Sequence, residues 1–220
     1  ATAEIYTLSL HDALPICVGS VTSTLSRSTA LIKSSLKLLV AATAAFSLSG
    51  CGFMAIQDKL DPQAMDTYMQ MYDKFVASEG DLGAATVWAV KVNKGVTPDD
   101  IAQALQSASL GTGLLDVGQM PLSKEIEARS GKPTRYLHIY QFCNPLTARS
   151  ATDFSPYFSA YLPCRISVVE HENGELWLYS LNMDMFVHGG KNMPEPFRTD
   201  AIKVRDTIWK MMQAASKGEF

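Results

Sequence analysis

The feature that most constrains this chain is an uncharged apolar run, Leu38 to Leu48 (LLVAATAAFSL), which lies just ahead of Cys51. At about 11 residues it is too short to cross a bilayer core, which takes about 20 residues of helix. Lys33 and Lys37 precede it, and the small residues Ser49 and Gly50 follow it. A positive flank, a short apolar stretch and small residues before a cut site are the anatomy of an export signal. The run is therefore not expected to serve as the core of a domain, and the folded part must lie behind it.

Leu48-Ser49-Gly50-Cys51 resembles the lipobox of bacterial lipoproteins. That resemblance implies that Cys51 is acylated and becomes the first residue of the mature chain. Several acyl chains on one cysteine make a lasting membrane anchor, where a single chain holds only marginally. Gly52, and no acidic residue, follows the cysteine, which by the same resemblance implies the periplasmic face of an outer membrane. Export also implies an oxidising compartment. Residues 17–50 are thus expected to be a signal peptide with a polar leader, Ser20 to Thr29. Thr7 to Ile16, TLSLHDALPI, resembles one translated frame of a short-read sequencing adapter, and all ten methionines lie at Met54 or later. Residues 1–16 are accordingly expected to be foreign to the fold, and His11, Asp12 and the neighbouring Cys17 carry no functional weight.

Behind Cys51, residues 51–60 are expected to form a lipidated tether and residues 61–220 a single domain. A hydrophobic content of 47% against 19% charged residues suits a globular chain. From Cys51 onward there are 16 basic and 20 acidic side chains. No basic face of the kind that phosphate backbones demand is on offer, which argues against nucleic acid as a partner.

The periodicities predict the elements in order. Asp61-Pro62 opens a helix with Asp61 as cap, and Met65, Tyr68, Met69, Tyr72, Phe75 and Val76 form one apolar stripe expected to pack into the core. Ala84 to Val92 reads as a strand. Thr97-Pro98-Asp99-Asp100 starts a helix that turns Ile101, Leu105 and Ala108 inward. Leu114 to Met120 is a short strand or the approach to a helix over 121–129. Arg135 to Cys143 (RYLHIYQFC), apolar on both faces, reads as a covered central strand. A short helix over 146–153 follows the Asn144-Pro145 break. Strands over 165–170 and 175–181 flank Glu172-Asn173-Gly174, a hairpin turn. Residues 182–195 are expected to be loop, and 197–216 a final helix.

Phe142-Cys143-Asn144-Pro145, followed by Leu162-Pro163-Cys164-Arg165 ahead of a hairpin, resembles the hallmark of the domain-of-unknown-function 302 family. The resemblance is sharpest over 135–181 and extends over about 84–216. It implies an α+β fold: a curved antiparallel sheet with helices packed on one face, similar to the TATA-binding-protein class. Here an extra N-terminal helix precedes it. The family name implies no reaction.

The resemblance also brings Cys143 and Cys164 near each other. In an oxidising compartment they would form a disulfide, and closing a loop of about 20 residues would stabilise the fold by roughly 3 kcal/mol. Buried free thiols, a thiol redox pair, a thiol metal site and unrelated packing are the alternatives. Asn144 and His138, the latter within the strand, complete the ligand or redox candidates. Met183, Met185, His188 and Met193 crowd the segment after the hairpin, and thioether and imidazole ligands suit copper or another thiophilic metal. Methionine is also the usual filler of irregular gaps. G-x-S-x-G, H-E-x-x-H, the P-loop and G-x-G-x-x-G are all absent. Three readings follow: a lipid-anchored accessory module that binds a small ligand, a metal or a protein partner such as a second copy of itself; a redox protein using Cys143 and Cys164; or a structural envelope lipoprotein stapled by them.

Overall fold

Alternating strand patterns build one sheet, and two amphipathic helices cover one face of it. In the computed structural model, which describes residues 56–219, the helices are α1 (Ala64–Ala77), α2 (Leu82–Thr86), α3 (Pro98–Ser109), α4 (Leu122–Ser130), α5 (Pro145–Phe154), α6 (Met183–His188) and α7 (Phe197–Lys217). The strands are β1 (Val87–Lys91), β2 (Leu115–Met120), β3 (Leu137–Cys143), β4 (Cys164–Glu170) and β5 (Leu176–Leu181). The expected export signal and Cys51 lie outside the described residues.

All strand pairs are antiparallel, in the order β1-β5-β4-β3-β2, so β3 and β4 lie inside the sheet and β1 and β2 form its edges. The hairpin between β4 and β5 turns at Gly174, whose φ of 78° lies in the left-handed region that glycine enters without strain. Side chains alternate across a strand. Tyr140 and Phe142 of β3, Ile166 and Val168 of β4, and Leu178 of β5 therefore share one face. They pack against Ile101 and Leu105 of α3 and Ile208, Met211 and Met212 of α7 in the main core. The N-terminus of α3 is fixed by a capping box: Thr97 Oγ1 accepts from the Asp100 N–H while the Asp100 carboxylate accepts from the Thr97 N–H. The fold is thus α+β, with an added N-terminal helix.

Four local expectations need correction. The apolar stripe of α1 is not core. Met65, Tyr68, Met69, Tyr72, Phe75 and Val76 are all exposed, and α1 instead turns its small residues Ala64 and Thr67 inward. The reason is occupancy: α3 and α7 already fill the covered face, and α1 packs chiefly on α2 and α6. Asp61 is not the N-cap of α1: Gln63 holds that position, and the buried Asp61 carboxylate accepts from the Gln63 N–H and from Arg198 and meets the His188 ring. Ala84 to Thr86 belong to α2 and not to β1, because the Asp81 carboxylate accepts from the N–H groups of Gly83 and Ala84. Finally, the segment expected to be loop contains α6, started by the Asn182 side chain accepting from the Asp184 N–H.

Candidate functional site

β3 ends in Cys143-Asn144-Pro145, and the chain returns through Leu162-Pro163 into β4 at Cys164. A cavity of about 460 Å³ opens at this end of the sheet. That is within the range of roughly 300–1,000 Å³ typical of small-molecule sites. α5, the 3₁₀ turn Pro156–Tyr161, α6 and the Gly189-Gly190-Lys191 segment form most of its wall, and Tyr68 and Val204 close it from α1 and α7. Much of the lining is apolar, with Phe158, Phe186, Met183 and Met193 prominent. Phe158 and Phe186 meet edge to face with centroids 4.7 Å apart, which fixes both rings. Gly189 is required here because a Cβ would collide with the Met185 carbonyl oxygen.

Both motif cysteines border this cavity, but they are free thiols and the expected disulfide is not formed. The register explains it. Cys164 stands opposite Phe142, one residue away from Cys143, so strand alternation sends the two side chains toward different faces. Burial pushes the Cys143 thiol up. Burial, with Cys143 adding to it, pushes Cys164 up to about 11, against a smaller opposing pull from Arg165. The reactive species of cysteine is the thiolate. Burial at both sites disfavours it.

Asn144 caps α5: its Oδ1 accepts from the N–H groups of Leu146 and Thr147. His138 does not join the site. It lies five residues back along β3, about 17 Å at strand rise. It is stacked on Tyr140, its Nδ1 and Nε2 pair with Tyr136 Oη and Gln119 Oε1, and burial holds its pKa below the usual value, helped by Lys124. Of the proposed soft-metal set, Met183, Met185 and Met193 line the cavity, whereas His188 is outside its wall. The His188 ring is buried, with Nδ1 3.2 Å from the Asp61 carboxylate, which also accepts from Arg198 at 3.1 Å. The four expected ligands therefore do not converge. Among the described residues no group of three His, Cys, Asp or Glu side chains is placed to hold a metal ion.

Sequence reasoning missed two groups. One is the buried Asp61–His188–Arg198 cluster, which joins the start of α1 to α6 and α7 across more than a hundred residues and leaves no local signal. The other is the polar equipment of the cavity: Arg165, Lys191, Thr147, Ser180 and Asn182. Arg165 carried a signal, being a charge at the head of a strand rich in β-branched residues.

A family model described as a domain of unknown function, DUF302, matches residues 88–215. Among solved structures the chain is similar to the crystal structure of an uncharacterised conserved protein DUF302 from Bacillus stearothermophilus. The identity is 18%, covering 59% of this chain and 98% of that one, with a TM-score of 0.48. No curated protein matches the sequence.

Proposed function

Since this chain belongs to the DUF302 family, whose description names no reaction, we propose a function from its own site: a lipid-anchored module of the bacterial envelope that binds a small, largely apolar molecule at the end of its sheet. The observation that carries the reading is the cavity, enclosed by α5, α6 and the Gly189–Lys191 segment and walled by fixed aromatic and methionine side chains. A void lined this way favours an apolar occupant over water, since water needs two to four polar partners to settle. Buried Thr147, Ser180 and Asn182 give the apolar wall a few directional polar contacts, the usual composition of a ligand site. Burial that raises both motif thiols weighs toward binding over redox exchange. The anchor rests on the export signal and the lipobox at Cys51.

The test uses the neutral fluorophore N-phenyl-1-naphthylamine. Titration into the purified protein is expected to give saturable one-to-one fluorescence enhancement, and Ala148→Phe, which fills the cavity from α5, is expected to abolish it while the thermal midpoint is retained. Enhancement that persists undiminished in Ala148→Phe would place the fluorophore elsewhere and remove the reading.

A further inference from the structure

The walls of this cavity have an uneven charge. Arg165 and Lys191 line it, and among the described residues no aspartate or glutamate does. Neither cation is neutralised: among the described residues no carboxylate lies within ion-pair distance of Arg165 or Lys191, and the Lys191 ammonium rests 5.5 Å from the centre of the Phe154 ring. The acids nearest in the fold are already engaged. Asp61, whose N–H donates to the Gly190 carbonyl, is held by His188 and Arg198. Asp184, at the start of α6, is held by Arg205 at 2.7 Å. The two thiols at the wall are held in their neutral form, so they do not balance the charge.

Two buried hydroxyls add to this. Ser180 and Thr147 are residues only 5% and 8% exposed, and both line the cavity. A half-buried arginine, an exposed lysine at the rim and two hydroxyl-bearing side chains thus border a largely apolar chamber. Such an arrangement is complementary to a molecule with an apolar body and a negative head. The guanidinium offers a planar fork that matches carboxylate or phosphate oxygens in pairs.

We propose that the occupant of the cavity is an amphiphilic anion, an alkyl chain ending in a carboxylate or phosphate, with the tail among Phe158, Phe186, Met183 and Met193 and the head on Arg165 and Lys191. The assignment rests on the ligand-binding reading of the same cavity and specifies the class of ligand. The head group has two sources, a free fatty acid or an alkyl phosphate monoester, which share this chemistry.

Displacement of bound N-phenyl-1-naphthylamine from the full-length protein tests it, with decanoate, decyl phosphate, 1-decanol and decyltrimethylammonium as competitors below their micellar concentrations. At least one of the two anions is expected to displace the fluorophore at a concentration about tenfold or more below that of 1-decanol, and the cation is expected to be weakest. The stronger anion identifies the source. Arg165→Gln is expected to erase the advantage over 1-decanol, with anion and alcohol compared on the same variant, and Lys191→Gln, at an exposed site, is expected to reduce it. Equal displacement by anions and alcohol would overturn the anion assignment and leave the cavity reading standing. Failure of the fluorophore to bind wild-type protein would overturn both. An advantage that survives the double variant with Arg165→Gln and Lys191→Gln would also remove the assignment.

Discussion

At the scale of single residues, the costliest polar arrangement is the one around Asp61. Burial pushes its carboxyl up, but hydrogen bonds from the Gln63 N–H, Arg198 and His188 outweigh that and hold it below the usual carboxylate value. A depressed acid contributes stability that is present above its unfolded pKa of about 3.9 and is lost as pH falls through the lower folded value. Removing one partner of a buried ion pair leaves the other charges uncompensated, typically at about 3–5 kcal/mol. Asp61→Asn is therefore expected to lower stability by about 3 kcal/mol at pH 7, read as a fall in urea midpoint. The gap to wild type should narrow as pH drops from 5 toward 3. A gap that stayed constant over that range would mean that ionised Asp61 is not the source. Asn144 belongs at the same scale. Its amide oxygen serves two N–H groups of α5, so Asn144→Ala is expected to cost about 1 kcal/mol and Asn144→Asp much less. Fluorophore affinity should be nearly unchanged in the Asp variant.

At the scale of elements, what was legible in the sequence was whatever is encoded locally. The central strand β3 shows in its aromatic and aliphatic side chains on both faces, the β4–β5 hairpin in Asn173-Gly174, and the start of α3 in Thr97-Pro98-Asp99-Asp100. The stripe of α1 misled because periodicity reports a helix and one apolar side without saying what lies against that side. Here the sheet had been taken by α3 and α7. The consequence is measurable. Tyr72→Ser and Val76→Ser, at sites 58% and 57% exposed, are expected to shift stability by no more than about 0.5 kcal/mol. Leu105→Ala, fully buried against the sheet, is expected to cost about 2–5 kcal/mol. Equal losses in chemical denaturation would show that the α1 face is covered in solution.

At the scale of the whole molecule, the cavity was illegible because its wall is assembled from Tyr68 to Val204, with every contributing stretch looking like ordinary core on its own. The motif cysteines marked its location through family resemblance, while the chemistry they suggested does not follow from where they lie. The proposed anchor sets a geometric limit on the whole. Cys51 stands five residues before Ile56, where the described structure starts, and five residues span at most about 18 Å. A lipidated Cys51 would therefore hold Ile56 close to the bilayer surface in any conformation, so α1 would follow within a few residues and the cavity's ligands could be drawn from the same membrane that holds the protein. Cys51→Ser in a bacterial host is expected to move the protein from the membrane fraction to the soluble fraction and to eliminate the acyl mass on the N-terminal peptide. Wild-type protein recovered in the soluble fraction, with an unmodified sulfur at position 51, would break the link between anchor and ligand and leave the cavity to be supplied from solution.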